Sequence, residues 1–422
     1  MTKQYMHKIY RDSIRVGAVF TAALALFGLY GCQNDAAADE KGTPETAIES
    51  TKDSNIESDI EELVTESVYE PSIAEGFKII NYKGGFKEIR VRDGRKYLLI
   101  PNEAANENSN DVAGIETDSK YDELMASKTI RDRIIIHVPA EKIYLAASAA
   151  MCRFESLGAM DNVAYSGTRQ EDWEIAAAAA AMERGDILYA GKYSQPDYEM
   201  LLEGGCNLAI ENAMILHKPE NIDKLTELSI PVLIDLSSME TEPLGRTEWI
   251  VVYGALTGHE EEAVRIFDEQ RALAEDIVMP DTAGQKVAWF YVNSQGQIVC
   301  QKADSAVAKM IGYAGGEYAA AALPDGDSSL MSTIKLDMES FMSIAGDADY
   351  LVYDAAINPI ASTDELIALN PLFAEFKAVQ NASLYIAGTS MYQNSDKAGR
   401  LIADFNAMLR NSSDMEYIRR AD

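Results

Sequence analysis

The sequence predicts an α/β protein of two lobes joined by one long helix. From residue 133 onward, short apolar runs alternate with helical stretches, a pattern that favours parallel sheets covered by helices on both faces. A stretch at 260–277 contains neither Gly nor Pro and interrupts this alternation, which starts again at Val287. The roughly 350 residues beyond the N-terminal segments are also too many for one ordinary core.

The first 31 residues have the features of a signal peptide. An apolar run at 16–29 is about 14 residues long, shorter than the ~20 residues that span a bilayer. Basic residues precede it: Lys3, Lys8, Arg11 and Arg15. Leu29-Tyr30-Gly31-Cys32 resembles a bacterial lipobox, which implies cleavage before Cys32 and lipid on its sulfur. The alternative is an uncleaved N-terminal anchor, and either way we expect an extracytoplasmic protein attached to a membrane.

Residues 32–72 are predicted to form a disordered acidic tether, because low hydrophobicity and high charge cannot support a packed core. The net charge of −31 argues strongly against nucleic acid as a partner, since phosphate binding requires clustered cations. It also argues against a flat contact with an anionic membrane. Three further cysteines, Cys152, Cys206 and Cys300, are far apart and form no CxxC pattern, so we expect buried thiols.

Residues 73–138 are predicted to be a β-rich extension. Strand-like runs at 77–82, 86–92 and 96–100 are separated by Gly84-Gly85 and by Asp93-Gly94, which are good turn sequences. This pattern indicates a small antiparallel meander. We expect it to pack as an extra edge on the first lobe.

The two lobes follow at 139–258 and 280–422, with the linking helix at 259–279. In the first lobe we expect strands near 143–146, 163–165, 187–189, 208–210 and 231–234, with helices between them. Gly158 and Gly185 end two of these helices. In the second lobe we expect strands near 287–292, 350–353 and 384–386, again with helices between them.

One short pattern occurs in both lobes. Asp197 and Asp337 each precede a helical stretch with a glutamate in its first turn, Glu199 and Glu339, and an apolar strand follows each time. The repeat predicts one carboxylate at a matching place on each lobe. The alternative is that both acids only offset the helix dipole, which is worth ~0.3–1 kcal/mol each.

Over about residues 140–410 the chain resembles the substrate-binding proteins of ABC importers for iron-siderophore complexes, haem and cobalamin. The matching motifs are Pro139 to Ile143, Leu157-Gly158-Ala159 with Asp161 and Val163, Pro196 to Glu199, Ser229-Ile230-Pro231-Val232, Gly254-x-Leu256-x-Gly258, and Gly315-Gly316-Glu317. Ser229 stands where that family usually has Gly. The resemblance implies two Rossmann-like lobes joined by one long helix, with the ligand in the cleft between them. It also implies that Glu199 and Glu339 bind arginines on the two permease subunits.

Ligands of open α/β sheets bind beyond the carboxyl ends of the strands. The loops expected there supply the candidate ligand residues: Ser148, Arg169, Met214, Ser238, Met239, Asn293, Gln295 and Tyr392. Arg169 suits a carboxylate or phosphate, with a surface salt bridge as the alternative. The two methionines suit a large apolar macrocycle, with simple packing as the alternative. Tyr392 could stack on a flat ligand.

Nothing in the motifs indicates catalysis, a cofactor or a protein-bound metal. GxSxG, HExxH, GxxxxGK[ST] and GxGxxG are absent, and His137, His217 and His259 lack ligand spacing. We therefore expect a lipid-anchored, monomeric receptor that delivers a metal chelate to a permease dimer and its ATPase. An iron-siderophore complex is the first expectation and a corrinoid or haem the second. A surface enzyme that handles tetrapyrroles and a sensory binding lipoprotein are the alternatives.

Overall fold

A computed structural model describes residues 63–102, 130–280, 284–323, 333–388 and 393–422. The predicted signal peptide, the candidate lipidation residue Cys32 and the candidate ligand residue Tyr392 lie outside these residues, as does most of the predicted tether. The described part contains three β-sheets and confirms the predicted α/β fold class.

The extension is a five-stranded sheet in the order β1-β2-β3-β4-β5. Its strands are β1 (Thr65–Tyr69), β2 (Phe77–Tyr82), β3 (Lys87–Val91), β4 (Lys96–Pro101) and β5 (Ile134–Val138). Strands β2 to β4 form the predicted antiparallel meander, to which β1 adds antiparallel beside β2 and β5 adds parallel beside β4. The predicted tether boundary at residue 72 is wrong, because β1 lies inside it. Although β1 is mostly exposed, it pairs along β2, and this backbone pairing does not depend on apolar side chains.

Successive side chains of a strand point to opposite faces of the sheet, and both faces of the extension are buried. Phe77, Ile79 and Leu99 join the main core together with the first lobe. Side chains of the opposite face form a separate cluster of Ile80, Tyr82, Phe86, Leu98, Ile100 and Ile130. The Ile234 N–H of β10 (Val232–Asp235) donates to the Tyr97 hydroxyl oxygen at 3.1 Å. The extension therefore packs against the first lobe through side chains rather than as an added strand.

The first lobe contains a sheet of five parallel strands in the order β10-β9-β6-β7-β8, as the alternating pattern predicts. The strands before β10 are β6 (Ile143–Leu145), β7 (Val163–Ser166), β8 (Leu188–Tyr189) and β9 (Leu208–Asn212). Its helices are α1 (Met151–Ser156), α2 (Ala176–Arg184), α3 (Tyr198–Glu203), α4 (Pro219–Glu227), α5 (Pro243–Glu248) and α6 (Ile250–Thr257).

The linking helix is α7 (Glu260–Glu275), which lies within the predicted range. Ala263, Ile266 and Phe267 are buried, whereas Arg265 pairs with Glu262 and Glu269 on the exposed side. The helix packs on α6 and on α12 (Ala398–Leu409) of the second lobe. It therefore contacts both lobes directly.

The second lobe contains a mixed sheet in the order β14-β12-β11-β15-β16-β17, with β13 paired to β11. The strands are β11 (Lys286–Val292), β12 (Ile298–Gln301), β13 (Glu317–Tyr318), β14 (Thr333–Leu336), β15 (Tyr350–Asp354), β16 (Leu384–Ala387) and β17 (Ile418–Arg420). The helices before α12 are α8 (Ala306–Tyr313), α9 (Met338–Ala345), α10 (Thr363–Leu369) and α11 (Lys377–Gln380). The parallel strands β11, β15 and β16 are the predicted ones, and the antiparallel strands β12, β14 and β17 were not predicted.

The three cysteines are buried and unpaired, as predicted. Burial raises the pKa of Cys206 to about 11 and the pKa values of Cys152 and Cys300 to about 12. Among the described residues, no helix is both long and apolar enough to span a bilayer.

Candidate ligand and docking sites

The strand-end loops of the two lobes contact each other. The Ser395 hydroxyl, in the segment after β16, donates to the Ala149 carbonyl oxygen after β6 at 2.9 Å. The Gln393 amide nitrogen donates to the Asp172 carbonyl oxygen after β7, also at 2.9 Å. Because ligands of parallel sheets bind beyond the carboxyl ends of strands, the edge where these loops meet is the candidate ligand site.

Two further groups of polar contacts join the lobes beside this edge. The Ser156 hydroxyl of α1 donates to Asp396 at 2.6 Å, and the Lys397 ammonium donates to the Ser156 oxygen at 2.7 Å. On the α5 side, the Lys309 ammonium donates to Glu242 at 2.8 Å. A change in the angle between the lobes would have to break or rearrange these contacts.

The predicted N-lobe ligand residues lie on strand-end loops, but they differ in exposure. Ser148 is half-buried in a 3₁₀ turn after β6, and Ser238 is exposed after β10. Arg169 is exposed after β7, where its guanidinium carbon lies 5.4 Å from the ring centroid of Tyr189. Its contact with Glu171 is a loose, exposed ion pair of 3.8 Å. The guanidinium is therefore held over an aromatic ring but keeps most of its hydrogen-bonding capacity.

Apolar side chains are exposed around the same edge. Met214 after β9 and Met239 after β10 are 50% and 49% exposed. The exposed set also includes three residues that sequence reasoning did not select: Tyr189, Leu216 and Ile357. These three residues could have been found from their position, since each ends or follows a parallel strand. They were missed because an apolar residue in a sequence ordinarily indicates the core. Exposed apolar residues on a strand-end edge favour a ligand with apolar surface.

Asn293 has a structural role in the turn between β11 and β12. Its side-chain oxygen accepts hydrogen bonds from the Gln295 and Gln297 N–H groups at 2.9 and 3.0 Å. Its amide nitrogen donates to the Gln297 side chain at 3.2 Å. Gln295 is exposed at the tip of this turn. The exposed Gln295 side chain is therefore available to a ligand, whereas Asn293 shapes the backbone of the turn.

The two predicted docking glutamates occupy matching positions. The Asp197 carboxylate accepts the Met200 N–H at 3.0 Å at the start of α3, and Asp337 accepts the Ser340 N–H at 2.8 Å at the start of α9. Glu199 and Glu339 are both exposed in the first turns of these helices. Among the described residues, no ion pair involves either side chain. Both carboxylates are therefore accessible to a cationic partner.

In the described parts of the chain, no group of three His, Cys, Asp or Glu side chains could hold a metal ion. His217 is exposed at the end of the 3₁₀ turn after β9, and the His259 ring lies 3.1 Å from the Thr257 hydroxyl. A cavity of about 590 Å³ lies between α7 and α12, lined in part by Gln270, Asp276 and Arg410. None of its lining residues belongs to the strand-end loops.

Solved periplasmic binding proteins are similar to this chain in fold. The periplasmic haem-binding protein HutB of Vibrio cholerae superposes with a TM-score of 0.52 at 17% identity, over 64% of this chain and 98% of that one. A periplasmic haem-binding protein of Pseudomonas aeruginosa gives a TM-score of 0.51 at 13% identity, over 67% and 98%. The chain has the fold of a two-lobed periplasmic binding protein. The predicted resemblance is thus confirmed at the level of fold.

No protein-family model matches the sequence. An uncharacterised lipoprotein of Methanocaldococcus jannaschii is 26% identical over 274 residues, which are 61% of this chain and 62% of that protein. The alignment therefore leaves more than a third of that lipoprotein uncovered.

Proposed function

We propose that the protein is the extracytoplasmic, lipid-anchored receptor of an ABC importer and binds a metal chelate between its lobes without catalysing a reaction. The main support is the pair of exposed glutamates, Glu199 and Glu339, each in the first turn of an Asp-capped helix, one per lobe. Two carboxylates on a two-lobed protein suit a partner of two subunits that each present arginine. Charge-assisted contacts of this kind orient a transient complex and speed its formation more than they add affinity.

The docking proposal is tested with the double variant Glu199→Ala/Glu339→Ala. We expect transport of the ligand into cells to be lost while the affinity of the purified receptor stays unchanged. The matched control is Glu183→Ala/Glu375→Ala, which removes two exposed carboxylates from the same two lobes. Normal transport by the first variant, or equal loss in both, would contradict the docking assignment.

The ligand is proposed to be an iron-siderophore-type complex. One observation favours the second candidate, a haem or corrinoid: the exposed apolar residues of the strand-end edge, including Met214, Met239 and Ile357, suit the apolar face of a macrocycle. Titration with ferric siderophores, haemin and cyanocobalamin, followed by quenching of tryptophan fluorescence, separates these classes. Trp173 lies in the loop after β7, beside the Gln393 contact, and is the expected reporter. Turnover of any of these compounds would favour the enzyme alternative instead.

A further inference from the structure

Residues 239–242 connect three parts of the molecule. Met239 belongs to the loop after β10, and its exposed side chain is part of the strand-end edge. Its carbonyl oxygen accepts a hydrogen bond from the Arg92 guanidinium at 3.1 Å. Arg92 lies in the turn between β3 and β4, so the extension contacts the backbone of a candidate ligand residue.

The side chain of Glu240, the next residue, is bound by backbone N–H groups of the extension. Its buried carboxylate accepts the Gly76 and Glu75 N–H groups at 2.8 and 3.0 Å and the Trp249 indole N–H at 2.8 Å. Hydrogen bonds to a buried carboxylate are stronger than those between neutral groups. A Cβ atom at position 76 would lie only 2.5 Å from the Glu240 side-chain oxygen, so the backbone fits closely around this side chain.

Glu242 continues the same segment to the second lobe. Its carboxylate accepts hydrogen bonds from the Lys309 ammonium at 2.8 Å and from the Tyr313 hydroxyl, both on α8. The Lys309 ammonium also donates to the Thr241 carbonyl oxygen at 2.8 Å. The extension, the candidate ligand edge and the second lobe are therefore linked within four consecutive residues.

We propose that the extension is a positioning element of the ligand site. Arg92 and the backbone at 75–76 hold Met239 at the strand-end edge and fix the segment through which Glu242 contacts the second lobe. Residues 73–138, to which the sequence resemblance gave no role, thus help to set the shape of the site. The part of this inference that concerns ligand affinity rests on the proposed function, whereas the part that concerns the segment does not.

The test is amide hydrogen exchange of the full-length protein in detergent, measured on peptides covering 236–242. The Met239 and Glu240 N–H groups donate to the Leu236 and Ser237 carbonyl oxygens at 2.9 and 3.1 Å, so their exchange reports opening of the segment. We expect Arg92→Gln to speed this exchange about fivefold, the effect of losing one hydrogen bond, while exchange of β15 stays unchanged. The control is Arg95→Gln, in the same turn, where the guanidinium pairs with Asp93.

Binding of haemin, cyanocobalamin and ferric siderophores is then compared among the same proteins. We expect the probe that binds the wild type to bind Arg92→Gln several-fold more weakly and Arg95→Gln equally well. Equal exchange in Arg92→Gln and the wild type, or equal affinity for a bound probe, would overturn the inference. A wild type that binds none of the probes would instead count against the proposed ligand class, and the exchange comparison would still decide whether the extension positions the segment.

Discussion

Replacing Glu248 by glutamine tests whether this carboxylate fixes the extension to the first lobe. The Glu248 side chain is fully buried, and one of its carboxylate oxygens accepts the Ser72 N–H at 2.6 Å, the Ser72 hydroxyl at 2.9 Å and the Tyr69 hydroxyl at 3.1 Å. The other oxygen accepts the Ile73 and Ala74 N–H groups at 2.8 and 2.7 Å. One carboxylate therefore accepts hydrogen bonds from the last residue of β1 and from three consecutive residues of the connection between β1 and β2.

The cost of Glu248→Gln follows from this geometry. In the better orientation the amide nitrogen faces Ser72 and Tyr69, whose hydroxyl oxygens can accept, and only the Ser72 N–H loses its acceptor. The bond from the Ser72 N–H is only partly buried, so its loss lies toward the lower end of the about 1–3 kcal/mol that an orphaned buried N–H costs, and the remaining bonds weaken because they lose the charge. In the other orientation both the Ile73 and Ala74 N–H groups are orphaned. We therefore expect a loss of roughly 2–4 kcal/mol in the free energy of unfolding.

The measurement is equilibrium unfolding in urea, with limited proteolysis to locate the first region that opens. The peptide bonds at 69–76 should become accessible to protease before the two lobes unfold. Glu261→Gln, the same change at an exposed position of α7, is the control and should alter stability by less than about 0.5 kcal/mol. If Glu248→Gln is as stable as this control, the carboxylate does not fix the extension to the first lobe.

Three further predictions concern buried polar groups. Burial raises the pKa of Glu211, whose carboxylate has no hydrogen-bond partner in the part of the chain that the structure describes, from near 4.5 to about 8, so the folded state disfavours the charged form. In pH-dependent urea unfolding, the wild type should lose roughly 3–5 kcal/mol relative to Glu211→Gln between pH 5 and pH 8, and a constant difference would contradict this. Arg153→Met should cost roughly 3–5 kcal/mol in thermal unfolding, because it leaves buried Asp235 without the guanidinium at 3.1 Å, and adding Asp235→Asn should recover part of that loss. In thiol titration at pH 8, the buried cysteines Cys152, Cys206 and Cys300 should react only after denaturation.

The parts of the fold that could be predicted depend on local signals. The Asp197 and Asp337 caps bond to N–H groups three residues away, and this spacing is visible in the sequence. The all-parallel first lobe follows from strands that alternate with helices. The antiparallel strands β12 and β14 were missed because their segments are short, and because a strand beside a parallel sheet is identified by its neighbours rather than by its own pattern.

The site was predictable to a smaller extent. Strand-end position selected Arg169, Met214 and Met239 as candidate ligand residues, and all three are exposed. It also selected Asn293, whose hydrogen bonds within the turn are common for Asn and leave its side-chain oxygen occupied. Position at a strand end therefore indicates which loops lie at the candidate ligand edge, but the hydrogen bonds within each loop decide which side chains remain available.

The acidic residues show most clearly where sequence reasoning stops. Glu199 and Glu339 are exposed and are identified by the capped helices on which they lie, whereas Glu240 and Glu248 are buried and are identified by nothing nearby in the chain. Their hydrogen-bond partners on the extension lie more than 160 positions away. From the sequence alone, the acidic residues of both pairs would be placed on a solvated surface. Apolar side chains such as Phe77, Ile79 and Leu99 pack the extension against the first lobe, and these two buried carboxylates add hydrogen bonds that converge from its backbone.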